Sequence, residues 1–184
     1  MHMLFQIFSL LLDVAVGLVG GACLLRLYMQ HQRIAFGNPV GRFVFAITDW
    51  LVLPLRRVLP AMGRIDTASL VGAWLLELLQ MGLLWLMVGR AGNAAMLPLA
   101  AVFGLLRLVI SSVTALVIVG ALLSWVRADS PMSDIIERLC APLLRPFRRL
   151  IPLVGGMDLS PLALLLALQV AGIILASVQA SVLR

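Results

Sequence analysis

The stretch PLRRVLPAMGRID, residues 54–66, comes back as PFRRLIPLVGGMD, residues 146–158, at an offset of 92 residues. Each copy sets an Arg-Arg step between prolines and then runs through glycine to an aspartate. The same offset lays Pro39 on Pro131, Pro54 on Pro146, Arg56-Arg57 on Arg148-Arg149, Pro60 on Pro152, Gly63 on Gly155 and Asp66 on Asp158. Chance does not put so many prolines, glycines and arginines in register. The chain reads as an internal duplication of units 1–92 and 93–184.

The sequence around the motifs names the solvent. Of 184 residues, 62% are hydrophobic and 12% charged, where soluble domains average about 45–50% and about 25%. Four apolar runs, at 4–28, 67–89, 97–126 and 159–182, are long enough to cross a hydrocarbon core, which takes about 20 residues. Each must be helical, because lipid offers the backbone no hydrogen bonds. The first run could pass for a signal peptide. It lacks a basic n-region and carries Asp13, so it reads as a retained span.

A mixed segment separates the spans in each unit. In 131–149, Met132, Ile135, Ile136, Leu139, Leu143 and Leu144 recur at helical steps, with Asp134, Glu137, Arg138 and Arg145 opposite. This predicts an interfacial amphipathic helix. Ser130-Pro131 starts it, and Pro142 or Pro146 is expected to kink or end it. The segment 39–57 follows the same plan, from Asn38-Pro39 through an expected apolar face of Phe43, Val44, Ile47, Trp50 and Leu51 to an expected break at Pro54. The fold class is an all-α integral membrane protein: four transmembrane helices as two parallel repeats, each with an interfacial amphipathic helix between its spans. An even number of spans per unit inserts both units the same way.

All fourteen basic residues are arginine, and the formal net charge is +6. Eleven lie in 26–67 and 127–158: Arg26, Arg33, Arg42, Arg56, Arg57, Arg64, Arg127, Arg138, Arg145, Arg148 and Arg149. Arg90 and Arg184 fall on the other side. Those two loops are expected to be cytoplasmic and both termini periplasmic, in a bacterial inner membrane. In such a protein the surplus charge speaks of orientation and anionic headgroups, not of nucleic acid.

With these motifs the chain resembles the YggT family (also called YlmG) of bacterial and plastid membrane proteins, over essentially its whole length. The pattern is P-[LF]-R-R-[VL]-[LI]-P-x2-G-x2-D twice, and the second copy ends Asp158-Leu159-Ser160-Pro161. The first copy departs with Thr67-Ala68-Ser69 after Asp66, and has Asp49-Trp50 where the second has Ala141-Pro142. The resemblance implies links with osmotic and ion stress, cell-division gene neighbourhoods and plastid membrane assembly. It implies no enzyme class.

Two readings of the arginine pairs stand side by side. They fix topology at a helix end, or Arg56-Arg57 and Arg148-Arg149 bind anionic phospholipid headgroups bidentately. Asp66 and Asp158 either cap the next span or pair with those arginines across the glycine turn. Deeper in the membrane, Asp13 and Arg107 each lie about 14–15 Å in, and Glu77 at a similar depth from the other side. Gln169 is the repeat counterpart of Glu77. Groups of this kind turn inward in pairs. Asp13, Glu77, Arg107 and Gln169 are therefore expected to converge as a polar cluster, with an Asp13–Arg107 or Glu77–Arg107 bridge. The cluster is either a brace or a proton or cation site, with Glu77 the carboxyl expected to stay neutral.

Other chemistry is absent from the sequence. Cys23 and Cys140 have no metal or redox spacing, so they read as packing thiols. No phosphate loop, HExxH or nucleophile elbow occurs, and no cofactor, metal or catalytic residue is expected. The leading function is a non-enzymatic inner-membrane scaffold or accessory factor in osmotic or ion homeostasis. The alternatives are a small cation or proton channel through Asp13, Glu77 and Arg107, and a membrane-protein assembly factor. The expected partners are the bilayer and its anionic headgroups, with a homo-oligomer or a membrane protein as a further partner.

Overall fold

Six helices account for nearly all of the computed structural model, which describes residues 2–60, 63, 65–87, 93–126, 130–150 and 158–183. They are α1 (His2–His31), α2 (Pro39–Val58), α3 (Thr67–Met87), α4 (Leu97–Val126, entered through a short 3-10 turn), α5 (Pro131–Leu150) and α6 (Ser160–Val182). Four of them are long and apolar enough to span a membrane: α1, α3, α4 and α6. This is a multi-pass, all-helical membrane protein. Pro152 and Gly155 of the second motif, and Arg64, Arg90, Arg127 and Arg184, lie outside the described residues.

The long helices pack in sequence, α1 on α3, α3 on α4 and α4 on α6, with α1 also touching α4. At one end of this array α2 lies against α1 and α3, α5 lies against α4 and α6, and α2 touches α5. The apolar faces of α2 and α5 meet each other and α1 in one cluster: Met29, Val40, Val44, Ile135 and Leu139. A second cluster seats Ile136, Cys140 and Leu144 of α5 on Val117 of α4 and Leu164 of α6. Arg42 and Arg57 of α2 and the charged residues of α5 are left exposed.

Local chemistry sets the helix starts. Asn38 caps α2, its side chain accepting from the Gly41 amide at 2.8 Å. Ser130 does the same for α5, accepting from the Ser133 amide at 3.2 Å. Gly41 sits so close to the preceding loop that a Cβ there would run into the Phe36 backbone. Past α2, Gly63 takes φ +64°, a left-handed conformation that glycine adopts at little cost.

The expected break at Pro54 does not occur, and neither Pro142 nor Pro146 ends its helix. Helix α2 runs through Pro54, and α5 through both Pro142 and Pro146. A proline inside a helix frees the carbonyl four residues back. Here those carbonyls belong to Trp50, Arg138 and Pro142, and all three positions are exposed, as are the prolines themselves. The freed acceptors face solvent or headgroups, while Leu55, Leu144 and Phe147 beyond the prolines hold the helix on its packed face.

Candidate functional site

Two polar constellations stand out, one at the α2/α5 end of the array and one within the spans. At the α2/α5 end, Arg26 of α1 is only 2% exposed. Its Nη1 donates to Thr48 Oγ1 at 2.8 Å and to Asp49 Oδ1 at 2.6 Å, both on α2. Its guanidinium lies 4.6 Å over the Phe45 ring, which in turn stacks on Phe36. Asp66, fully buried at the start of α3, stands 3.7 Å from Arg26 Nε. It accepts from Arg56 of α2 and from the Ser69 hydroxyl at 2.8 Å. Arg56 also reaches Gln30 Oε1 at 3.3 Å. Two arginines and two aspartates thus close a neutral clamp that ties α1, α2 and the head of α3.

Burial alone would raise the Asp66 carboxyl. Hydrogen bonds from Arg56 and Ser69, with the Arg56 charge, outweigh it and hold the group below its ordinary value. Asp158 behaves alike: desolvation opposes it, but bonds from Ser160 and Arg148 keep it low. Arg148 Nε donates to Asp158 at 2.7 Å, and Asp158 takes the Ser160 amide at 2.9 Å. Both readings of the motif aspartates hold together here, since each one pairs with its arginine and also binds the first turn of the next span. The arginine pairs are split: Arg56 and Arg148 are held by Asp66 and Asp158, while Arg57 and Arg149 are exposed.

The second half has no full clamp. The counterparts of Arg26, Thr48 and Asp49 are Ile118, Cys140 and Ala141. Cys140 points its thiol at the Leu116 carbonyl, 3.5 Å away, and burial pushes that thiol up to about 11.

Within the spans, Asp13 on α1, Glu77 on α3 and Arg107 on α4 make no ion pair among the described residues, and together with Gln80 and Gln179 they form a polar layer that touches four helices. Asp13 accepts from Gln80 on α3. Glu77, one turn from Gln80, is buried so close to α4 that a Cβ on Gly104 would overlap its carboxylate. Arg107, one turn from Gly104, donates to Gln179 Oε1 on α6 at 2.5 Å. Neither expected bridge, Asp13–Arg107 or Glu77–Arg107, is made. Gln179 stands three residues before the end of α6 at Val182, so the guanidinium lies about 5 Å from that helix end. Long side chains on a helix lean toward its N-terminus, and that lean carries the Arg107 charge away from the bilayer centre. Gln169 is exposed on α6 and joins neither constellation.

Sequence reasoning missed Arg26, Thr48 and Asp49 as site residues, together with Gln80 and Gln179. Among the described residues no group of three or more potential ligand side chains is arranged for a metal.

The CCB3/YggT family model matches residues 1–87 and 99–179. The uncharacterized protein YggT of Escherichia coli strain K12 is 38% identical over 88% of this chain and 85% of its own length. An uncharacterized protein in the proC 3'region of Vibrio alginolyticus is 33% identical over 84% of this chain and 85% of its own. An uncharacterized protein of Haemophilus influenzae is 32% identical over 79% and 78%. No solved structure matches the chain. With a family model covering both halves and relatives spanning most of its length, the chain belongs to the CCB3/YggT family.

Proposed function

We propose that this chain is a non-enzymatic scaffold or accessory protein of the bacterial inner membrane, built as two parallel repeats, that supports osmotic and ion homeostasis. One observation carries the reading. The intramembrane polar groups are tied sideways, helix to helix: Asp13 to Gln80, Glu77 into the Gly104 notch, Arg107 to Gln179. Such links brace a bundle, whereas a conduction path needs its polar groups strung along an axis. The homeostatic role comes from the stress associations that family resemblance implies.

The repeat reading is supported by α2 and α5, each 20 residues long, proline-started and 92 residues apart. The family model also falls once in each half. Exposed Arg42, Arg57, Arg138, Arg145 and Arg149 on α2 and α5 support a cytoplasmic placement of that end and a surface for anionic headgroups.

Purified protein in liposomes tests the reading. Vesicles bearing it are expected to leak potassium, sodium and protons no faster than empty ones, while a deletion strain loses growth under osmotic stress. Leak that rises with protein and falls in Glu77→Gln would replace the scaffold by the channel.

A further inference from the structure

Gln169 lies nine residues after the start of α6 at Ser160 and thirteen before its end at Val182, the middle of a span. It is exposed, and among the described residues it has no hydrogen-bond partner. An amide at that depth faces hydrocarbon that can answer neither its donors nor its acceptor. Around it, Leu162, Leu166, Gln169, Ile173, Ala176 and Ala180 follow one another at steps of four and three, the spacing of a two-helix seam. All six are exposed.

The first half shows what this face is shaped for. At the offset of 92 the first five seam positions fall on Leu70, Trp74, Glu77, Met81 and Leu84 of α3. There Glu77 is buried, and Trp74, Met81 and Leu84 are half-buried. The Glu77 position is covered by α4 at Gly104. Helix α6 has α4 and α5 on one side and, among the described residues, no helix on the other. Only 6% of its most apolar stretch is buried, against 22–28% in the other three spans.

We propose that this seam joins two copies of the chain, α6 against α6, about a two-fold axis along the bilayer normal, with Gln169 hydrogen-bonded to Gln169 of the other copy. Copies inserted with one topology carry parallel α6 helices at one depth, so a two-fold sets each seam residue near its own equivalent. A carboxamide is both donor and acceptor, and two of them satisfy each other. A helix of another protein would need a polar group at the matching level, which a second copy always supplies. In membranes, polar side chains of this kind join helices. The inference goes beyond the scaffold reading and does not depend on it.

The test is disulfide trapping in native membranes, with single substitutions Leu166→Cys, Gln169→Cys and Ile173→Cys on the seam and Val170→Cys and Ile174→Cys beside it. Cys23 and Cys140 are buried, and the unsubstituted chain serves as control. Mild oxidation is expected to give a cross-linked dimer at the seam positions and little at the flanking pair. In detergent, Gln169→Leu is expected to weaken dimerisation about tenfold with the thermal midpoint of the subunit kept. No dimer at any seam position, equal dimer at 170 and 174, cross-linking of position 169 only to an Asp13→Cys chain, or an unchanged dimer constant in Gln169→Leu would each overturn the α6 seam.

Discussion

A guanidinium sealed inside a spanning helix has to be answered by acids, and Arg26 is answered by Asp49 and Asp66. Arg26→Met leaves the buried Asp66 with one cation fewer, and removing one partner of a buried pair costs about 3–5 kcal/mol. The expected outcome is a clear fall in thermal midpoint in detergent, while Asp49→Asn, at a 40% exposed side chain, lowers it far less. Acid does slowly what mutation does at once. Asp66 and Asp158 are held below the ordinary 3.8. Stability from a depressed carboxyl is complete above its unfolded-state value and drains away as pH falls through its folded-state value. The midpoint should be flat above 3.8 and drop below it, and Asp66→Asn should remove most of that drop. The motif pairing was legible, since Asp66 and Asp158 each follow their arginine by ten residues. Arg26 was not. It looked like a loop cation at the end of an apolar run, but α1 continues to His31 and carries it inside. An arginine sealed within a spanning helix was itself the signal that a polar partner must be near. Gln80 and Gln179 gave no such signal, because a glutamine in an apolar helix shows its partner only once the packing is known.

Helices α2 and α5 answered to their caps, and Ile135, Ile136, Leu139 and Leu144 of α5 are buried where the three- and four-residue steps put them. The expected face of α2 is corrected: Phe43 and Trp50 are exposed, and α2 is rolled so that Val40, Val44, Thr48 and Val52 are buried, because Thr48 turns in to meet Arg26. Their prolines did not act as breakers, for a reason that period alone does not reveal: whether a freed carbonyl faces solvent depends on which side of the docked helix it lies. Docking also fixes Gly41. Its Cβ would strike the Phe36 backbone, which cannot swing aside as a side chain can. Gly41→Ala is expected to cost about 1–3 kcal/mol, the usual range for overpacking, read as earlier proteolysis of α2. The split arginine pairs give these helices a second measurable property. Arg57→Gln with Arg149→Gln should reduce co-purifying anionic lipid and leave the midpoint in place. Arg56→Gln with Arg148→Gln should lower the midpoint, because those two hold Asp66 and Asp158. Equal effects from both doubles would leave the free arginines no distinct role at the membrane surface.

For the whole molecule, composition and four apolar runs were enough to read a multi-pass helical protein, because hydrocarbon admits few alternatives. The side-by-side order of the spans needed the structure. Orientation is open to a direct check: cysteines at Arg42 and Arg138 should be inaccessible to an impermeant maleimide added outside intact cells and react after permeabilisation. The two constellations also differ in how far along the chain they depend. The polar layer draws on residues from 13 to 179, so it cannot exist before the last span is in place. The charged clamp draws only on residues 26 to 69. It can lock before the C-terminal half has been made, and the half that follows carries Ile118 and Ala141 where the clamp has Arg26 and Asp49. An order of assembly follows: the clamp can tie α1, α2 and the head of α3 before α6, which the Arg107–Gln179 link needs, has been made.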